Sequence, residues 1–222
     1  MDAVAAVSCP GQSNSTPHTT PTPVVFVVDD DKCVREALKR LIRSTGWEPQ
    51  TFASAQEFLA LPRKLVPSCL ILDVGLPDLN GLELQRRVAA DRPDMPIIFI
   101  TGHGDVPMSV KAMKAGAIEF LTKPFSDDVL LGAIAPAIES SQSALRLEIE
   151  RRTLRDRYET LSCREREVMD RIVTGLLNKQ VGWELGISEI TVKAHRGRVM
   201  RKMQAGSLAE LVKMTSGLAV TR

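Results

Sequence analysis

The sequence predicts a two-part chain, an α/β unit built on a mostly parallel sheet with helices on both faces, followed by a smaller all-helical unit. Three observations support this. From Val24 onward, β-branched runs such as VVFVV and IIFI alternate with amphipathic stretches, and a continuous apolar run marks a strand covered on both faces. Beyond Leu161 the pattern changes to short helices with sharp stops. The charge divides as well: residues 1–140 hold 13 Lys/Arg against 17 Asp/Glu, net −4, and residues 141–222 hold 16 against 10, net +6. An acidic front half joined to a basic back half points to a control unit tethered to a nucleic-acid-binding unit.

At 222 residues the chain has room for two domains. With 44% hydrophobic and 25% charged residues, its composition excludes collagen and wholesale disorder. No apolar run approaches the roughly 18 residues that span a bilayer as a helix, so a membrane protein is a poor fit. Cys9, Cys33, Cys69 and Cys163 form no CxxC pair and no cluster with histidine, against a disulfide framework or a zinc site and in favour of a reducing cytoplasm. Of the first 23 residues 11 are Ser, Thr or Pro, so residues 1–23 read as a flexible tail. It lacks the basic start and apolar stretch of a secretory signal.

The elements follow in order. Val24–Val28 is a strand, Val34–Arg43 an amphipathic helix, Leu70–Leu72 a strand and Leu82–Ala90 a helix. Ile97–Ile100 is again a strand, Ser109–Ala115 a helix and Phe120–Leu121 the last strand. Asp127 to about Glu159 is rich in Leu, Ile, Glu and Arg, and reads as a final helix running into a connector. Leu131, Ile138 and Leu145 recur at seven, as do Leu147, Leu154 and Leu161. Pro136 should kink or break that segment, favouring a bent helix with one packed face over a coiled coil. Ser162 and Glu165 make a capping box, with Gly175 as the stop. Asn178 can cap a second helix through Leu185, ended by Gly186. Ser188 caps Glu189–Met203, and Ser207–Met214 supplies a fourth helix.

A parallel sheet gathers its functional residues beyond the carboxyl ends of its strands. Those ends carry Asp29, Asp30 and Asp31 after the first strand, Asp73 after the third, Thr101 after the fourth and Lys123-Pro124 after the fifth. Taken singly, Asp29–Asp31 read equally well as acids at a helix N-terminus. Taken together, carboxylates at one edge repel unless a cation neutralises them. An oxygen-only cluster suits a hard ion such as Mg²⁺, and a lysine beside it suits an added anion.

The blocks VFVVDDD, LILDVGLPDLNGLEL, IFITGHGD and EFLTKPF resemble those of two-component receiver domains, in order and spacing, over about Val24–Glu139. LSCREREVMDRIVTGLLNKQVGWELGISEITVKAHRGRVMRKM resembles the LuxR-type helix-turn-helix. The chain after its tail thus resembles a response regulator of the FixJ/NarL type. The resemblance implies a flavodoxin-like doubly wound parallel five-stranded receiver over 24–139, a helical linker over 140–160 and a helix-turn-helix domain over 161–222. It further implies Asp73 as phosphoacceptor, Asp30 as direct Mg²⁺ ligand, Asp29 as ligand through water and the Gly75 carbonyl as backbone ligand. Lys123 and Thr101 would serve the phosphoryl group, with Thr101 and Phe120 as the switch pair; Phe120 reads equally as a plain core residue. The Lys123–Pro124 bond is expected cis. Gly75 and His103 depart from the family's bulk and chemistry at their positions, and His103 reads as a surface histidine.

On the helix from Glu189, Val192, Val199 and Met203 fall on one stripe and read as core. By resemblance Lys193, Ala194 and Gly197 face base edges while Arg198 and Arg201 meet phosphates. His195 reads as a partly buried spacer or phosphate contact, and Trp183 as core. The resemblance makes the chain a cytoplasmic transcriptional regulator, not a turnover enzyme. Its partners would be a sensor histidine kinase, double-stranded promoter DNA, RNA polymerase and, once phosphorylated, a second copy of itself through Val106–Ala115 and Phe120–Leu121. The alternatives are a phosphorylation-independent DNA-binding regulator with a vestigial pocket and an aspartyl-phosphate phosphatase.

Overall fold

A computed structural model describes residues 21–102 and 106–219. The tail over 1–20, with Cys9, and His103 lie outside the described residues. Strands β1 (Val24–Val28), β2 (Glu48–Phe52), β3 (Ser68–Asp73), β4 (Ile97–Thr101) and β5 (Glu119–Thr122) form one sheet in the order β2-β1-β3-β4-β5, every pair parallel. Helices α1 (Lys32–Ser44), α2 (Ala55–Leu59), α3 (Gly81–Asp91), α4 (Val106–Lys114) and the start of α5 (Asp127–Glu159) connect and flank the strands.

Alternation along the strands builds two cores. Val24, Phe26, Val28, Leu70, Leu72, Ile97 and Phe99 face one side with Phe58 of α2, Leu84 of α3 and Ala112 of α4. Val25, Val27, Cys69, Ile71, Ile98, Ile100 and Leu121 face the other with Leu38 and Ile42 of α1 and Leu130, Ile134 and Ile138 of α5. The sheet is thus covered on both faces, as its uninterrupted apolar strands require. Two elements carry no apolar signature of their own. β2 reads EPQTF, and its Pro49 pairs with Val25 at the sheet edge, where a missing amide is tolerated. α2 is five residues long, capped by Ser54 and closed over Phe26 and Phe52 by the ring of Phe58.

Pro136 does not break α5, which runs for 33 residues, about 50 Å at helical rise. Pro136 and Gly132, the residue four before it, are both exposed, so the carbonyl deprived of its amide lies on the solvent side. Leu130, Ala133, Ile134, Ala137 and Ile138 are buried against the sheet unit, and the buried Ser141 hydroxyl accepts the Ser68 amide at 3.0 Å. Further along, Leu154 and Tyr158 pack against a third core of Val168, Met169, Ile172, Val181, Val192, Val199, Met203 and Leu211. These residues come from α6 (Cys163–Val173), α7 (Asn178–Leu185), α8 (Glu189–Met203) and α9 (Leu208–Ala219).

The caps follow the sequence with one exception. Ser162 caps α6, Ser188 caps α8, and Gly186 ends α7 in the left-handed region at φ 65°. Asn178 does not cap α7. That helix begins at Asn178 itself, and the Leu177 amide donates to the Gln180 side chain at 2.8 Å. Asn178 instead accepts from Arg196 of α8 at 3.2 Å.

Glu165 joins α6 to α8. It accepts from the Ser162 amide at 2.9 Å and from the Lys202 ammonium at 2.6 Å, with its side chain 4% exposed. Hydrogen bonding from Lys202, and then from the Ser162 amide, holds its carboxyl down at about 2 against an ordinary 4.5. A folded-state value below the unfolded one means the contribution is complete above pH 4.5 and is lost as pH falls toward about 2. Glu165→Gln should therefore cost about 2 kcal/mol at pH 7 and lower the melting temperature of the helical unit. The gap to wild type should close over that acid range in thermal melts of the full chain. A gap independent of pH would remove the ion pair as its source.

Candidate functional site

The topology places one site. Strand order reverses between β1 and β3, so the loops after them diverge and leave a crevice at their carboxyl ends. The three consecutive acids after β1 divide their tasks. Asp31 caps α1, accepting the Cys33 amide at 2.7 Å; the helix-terminus reading holds for it. Asp29 is fully buried and turned into the crevice, accepting the Asp31 amide at 2.8 Å on Oδ1 and the Lys123 ammonium at 2.7 Å on Oδ2. Asp30 is exposed, and its carboxylate, with those of Asp29 and Asp73, forms a set of oxygens all within 4.8 Å of one another.

Asp73 closes β3 with its side chain 11% exposed. Its Oδ1 accepts the Gly75 amide at 2.9 Å, and its Oδ2 accepts Lys123 at 2.7 Å. Lys123 thus bridges two carboxylates from two strands. It follows β5, its own amide donates to the Thr101 carbonyl at 2.7 Å, and the Lys123–Pro124 bond is cis. Burial pushes the Asp29 carboxyl above its ordinary value despite the bonds from Lys123 and the Asp31 amide. Burial alone would lower Lys123, but its bonds to Asp29 and Asp73 outweigh that and raise it, keeping the ammonium charged. Two buried acids served by one lysine leave negative charge at the mouth, where Asp30 adds a third carboxylate. An all-oxygen set of this kind can hold a hard divalent cation.

Thr101 is buried at the end of β4, beside the position of Lys123. Phe120 is half-buried on β5, opposite Phe99, with ring centroids 6.1 Å apart. Gly75 is exposed, and a Cβ built on it would lie 3.7 Å from Asp73 Oδ1, so bulk would be accommodated there and its absence leaves the mouth open.

Two residues that sequence reasoning passed over shape the loop after Asp73. A Cβ on Gly81 would come within 2.8 Å of the Asp73 carbonyl, so α3 begins against the backbone of the acid itself. Asp78 accepts the Ala55 and Gln56 amides at 3.3 and 3.0 Å, tying the loop to α2. Desolvation pushes the Asp78 carboxyl up, but the amide bonds, led by Gln56 and Ala55, bring it below its ordinary value. The PD-x-x-G spacing was the available signal for both.

The helical unit presents a second surface. On α8, Val192, Val199 and Met203 are buried, while Lys193, Ala194, Gly197, Arg198 and Arg201 are exposed and His195 is half-buried. Lys193 pairs with Glu189 at 3.0 Å. The core reading of Trp183 is corrected: it is 85% exposed. The inward side of α7 belongs to Val181 and Gly182, and Trp183 lies about 100° further round the helix. Gly182 sits so close to the turn before α8 that a Cβ would fall 2.7 Å from the Ile187 carbonyl. Among the described residues no helix is long and apolar enough to cross a membrane.

Comparison with known proteins agrees with this two-part arrangement. The response regulator receiver domain family matches residues 25–135, and the bacterial regulatory proteins of the luxR family match residues 159–215. Nodulation protein W of Bradyrhizobium diazoefficiens is 48% identical over 211 residues, spanning 95% of this chain and 92% of that protein. Response regulator protein TodT of Pseudomonas putida is 46% identical over 195 residues, spanning 88% and 86%. The solved structure of the response regulator StyR superposes with a TM-score of 0.80 at 45% identity, spanning 88% of this chain and 98% of that one.

The occupancy of the carboxylate oxygens sets an order among the acids. Both oxygens of Asp29 already accept protein donors, whereas Asp30 faces solvent. Asp30→Ala should weaken Mg²⁺ binding by about tenfold or more, and Asp29→Ala by less. Calorimetric Mg²⁺ titration of the full chain checks this, and the reverse order would overturn the assignment.

Proposed function

The chain belongs to the two-component response regulators that join a receiver domain to a LuxR-type DNA-binding domain, and on that premise we propose that Asp73 is the acceptor of a phosphoryl group from a sensor histidine kinase. The observation that carries this is the Lys123 ammonium held 2.7 Å from both Asp73 and Asp29. In transfer, a carboxylate oxygen of Asp73 forms the new bond to phosphorus, the N–P bond of the donor phosphohistidine breaks, and its electron pair returns to the imidazole. Asp73 is oriented for attack by the Gly75 amide. Lys123 follows the charge, moving from the Asp73 carboxylate to the transferred oxygens without leaving the site, because Asp29 retains it. When bound, Mg²⁺ supplies neutralising charge on the transferring oxygens; Asp29, Asp30, Asp73 and the Gly75 carbonyl would hold it.

Thr101, in this reading, donates its hydroxyl to a phosphoryl oxygen, and Phe120 turns inward beside Phe99 as the β4 loop moves. The added charge of about −1.5 to −2 biases an existing equilibrium between inactive and active receivers. Val106, Val110 and Met113 recur at i, i+4 and i+7 along α4 and are 76%, 44% and 44% exposed, a stripe suited to pairing two phosphorylated copies. Leu121 is buried in the sheet and drops out of the expected dimer face. Phe120 stays at its margin.

The units take the ranges 24–139, 140–160 and 161–222. In the last of these Lys193, Ala194 and Gly197 approach base edges, Arg198 and Arg201 grip phosphates, and His195 spaces the helix from its own core. The chain acts in the cytoplasm at promoter DNA, where RNA polymerase reads the outcome, and it holds its phosphoryl group as a signal, with no turnover chemistry of its own. Incubation with acetyl phosphate and Mg²⁺ should add one phosphoryl mass to wild type and none to Asp73→Asn. Equal labelling of the two proteins would sink the assignment.

A further inference from the structure

We propose that Ile190 is a specificity-determining residue that packs against a thymine C5-methyl group on the floor of the major groove. The proposal rests on reading α8 as the helix that enters DNA, and it adds a residue to that surface. Ile190 is 80% exposed in the first turn of α8. With Val192, Val199 and Met203 turned inward, the helical period sets Ile190, Ala194, Gly197 and Arg201, at i, i+4, i+7 and i+11, along the opposite side. That stripe is low in its middle: Ala194 carries one methyl, and a Cβ at Gly197 would meet nothing within 4 Å. The backbone of α8 can therefore approach a groove closely, with one bulky apolar group projecting at its leading end.

Nothing in the fold requires that group. Its neighbours in the first turn are engaged with one another, the Thr191 hydroxyl with Ser188 at 2.8 Å and Lys193 with Glu189 at 3.0 Å. A helix-turn-helix reads bases with the N-terminal residues of its second helix. On the major-groove edges the apolar feature is the thymine methyl, while the remaining positions present donors and acceptors that isoleucine cannot meet. Seated against that methyl, Ile190 removes from water the surface that the fold leaves exposed.

The test uses the full chain treated with acetyl phosphate and the duplexes it enriches from a random library. Each thymine of the enriched site is replaced in turn by deoxyuridine, which deletes only the C5-methyl. One thymine per half-site should weaken wild type by about fourfold when replaced and leave Ile190→Ala unaffected, with Ile190→Val between the two. The proposal is overturned if every replacement acts equally on wild type and Ile190→Ala. It is also overturned if Ile190→Ala keeps the wild-type preference yet loses transcription in a reconstituted assay, which would assign Ile190 to a protein partner. If wild type enriches no duplex at all, the reading of α8 as a DNA-entering helix fails first.

Discussion

One lysine holds the buried acids of the sheet edge together. Three strands of the sheet deliver carboxylates or their partners to a single edge, and like charges a few ångströms apart raise one another's cost of ionisation. The Lys123 ammonium, 2.7 Å from Asp29 and from Asp73, offsets that cost. Its position depends on β5 lying beside β4, where the Lys123 amide reaches the Thr101 carbonyl. The residue that neutralises the acids is therefore also tied by its backbone to the end of β4. Under the proposed phosphorylation of Asp73 the charge on which this arrangement rests would change, beside Thr101 at the end of β4.

How much of this was legible in the sequence follows from what each element must bury. β1, β3 and β4 are covered on both faces, so they read as apolar runs. β2 is an edge strand of sequence EPQTF and shows no such run; its place is set by pairing with β1, a tertiary fact. The acids were legible as a group, because four of them fall at strand ends. Their separate roles came from the family resemblance and not from the residues themselves. Whether a given acid caps α1 or enters the crevice is a matter of local backbone direction, and the structure gives the cap to Asp31 and the buried position to Asp29. The PD-x-x-G spacing marked Gly81, but its close approach to the Asp73 carbonyl depends on the fold of the loop that brings them together.

The connector shows a different limit. Proline inside a helix signals a kink or break, yet α5 continues through Pro136, and the Gly132 carbonyl left without an amide lies on the exposed side, where water can donate to it. Packing supplies the rest: Ile134 and Ile138 are buried against the sheet unit, and Leu154 and Tyr158 pack against the helical unit. Arg63 adds a polar strap, bonding both Asp94 of the sheet unit at 2.7 Å and Glu148 of α5 at 2.6 Å. A single helix thus belongs to two cores, and the stretch between them carries no core of its own. The two units are joined by one continuous helical backbone.

The helical unit separates what folding requires from what recognition requires. Val192, Val199 and Met203 secure α8, Gly182 sets its distance from α7, and Glu165 with Lys202 secures its far end. The stripe and the Ser162–Glu165 cap were legible in the sequence, whereas the close approach at Gly182 and the pairing of Glu165 with Lys202 are set by tertiary packing. Trp183 was misread because a large aromatic in a packed helix is usually core, whereas here the inward positions were already taken by Val181 and Gly182. The outward residues Ile190, Lys193, Ala194 and Gly197 contribute little to stability, since surface positions usually shift it by no more than about 0.5 kcal/mol. A scaffold whose reading surface is nearly free of folding constraints can change its operator without changing its fold.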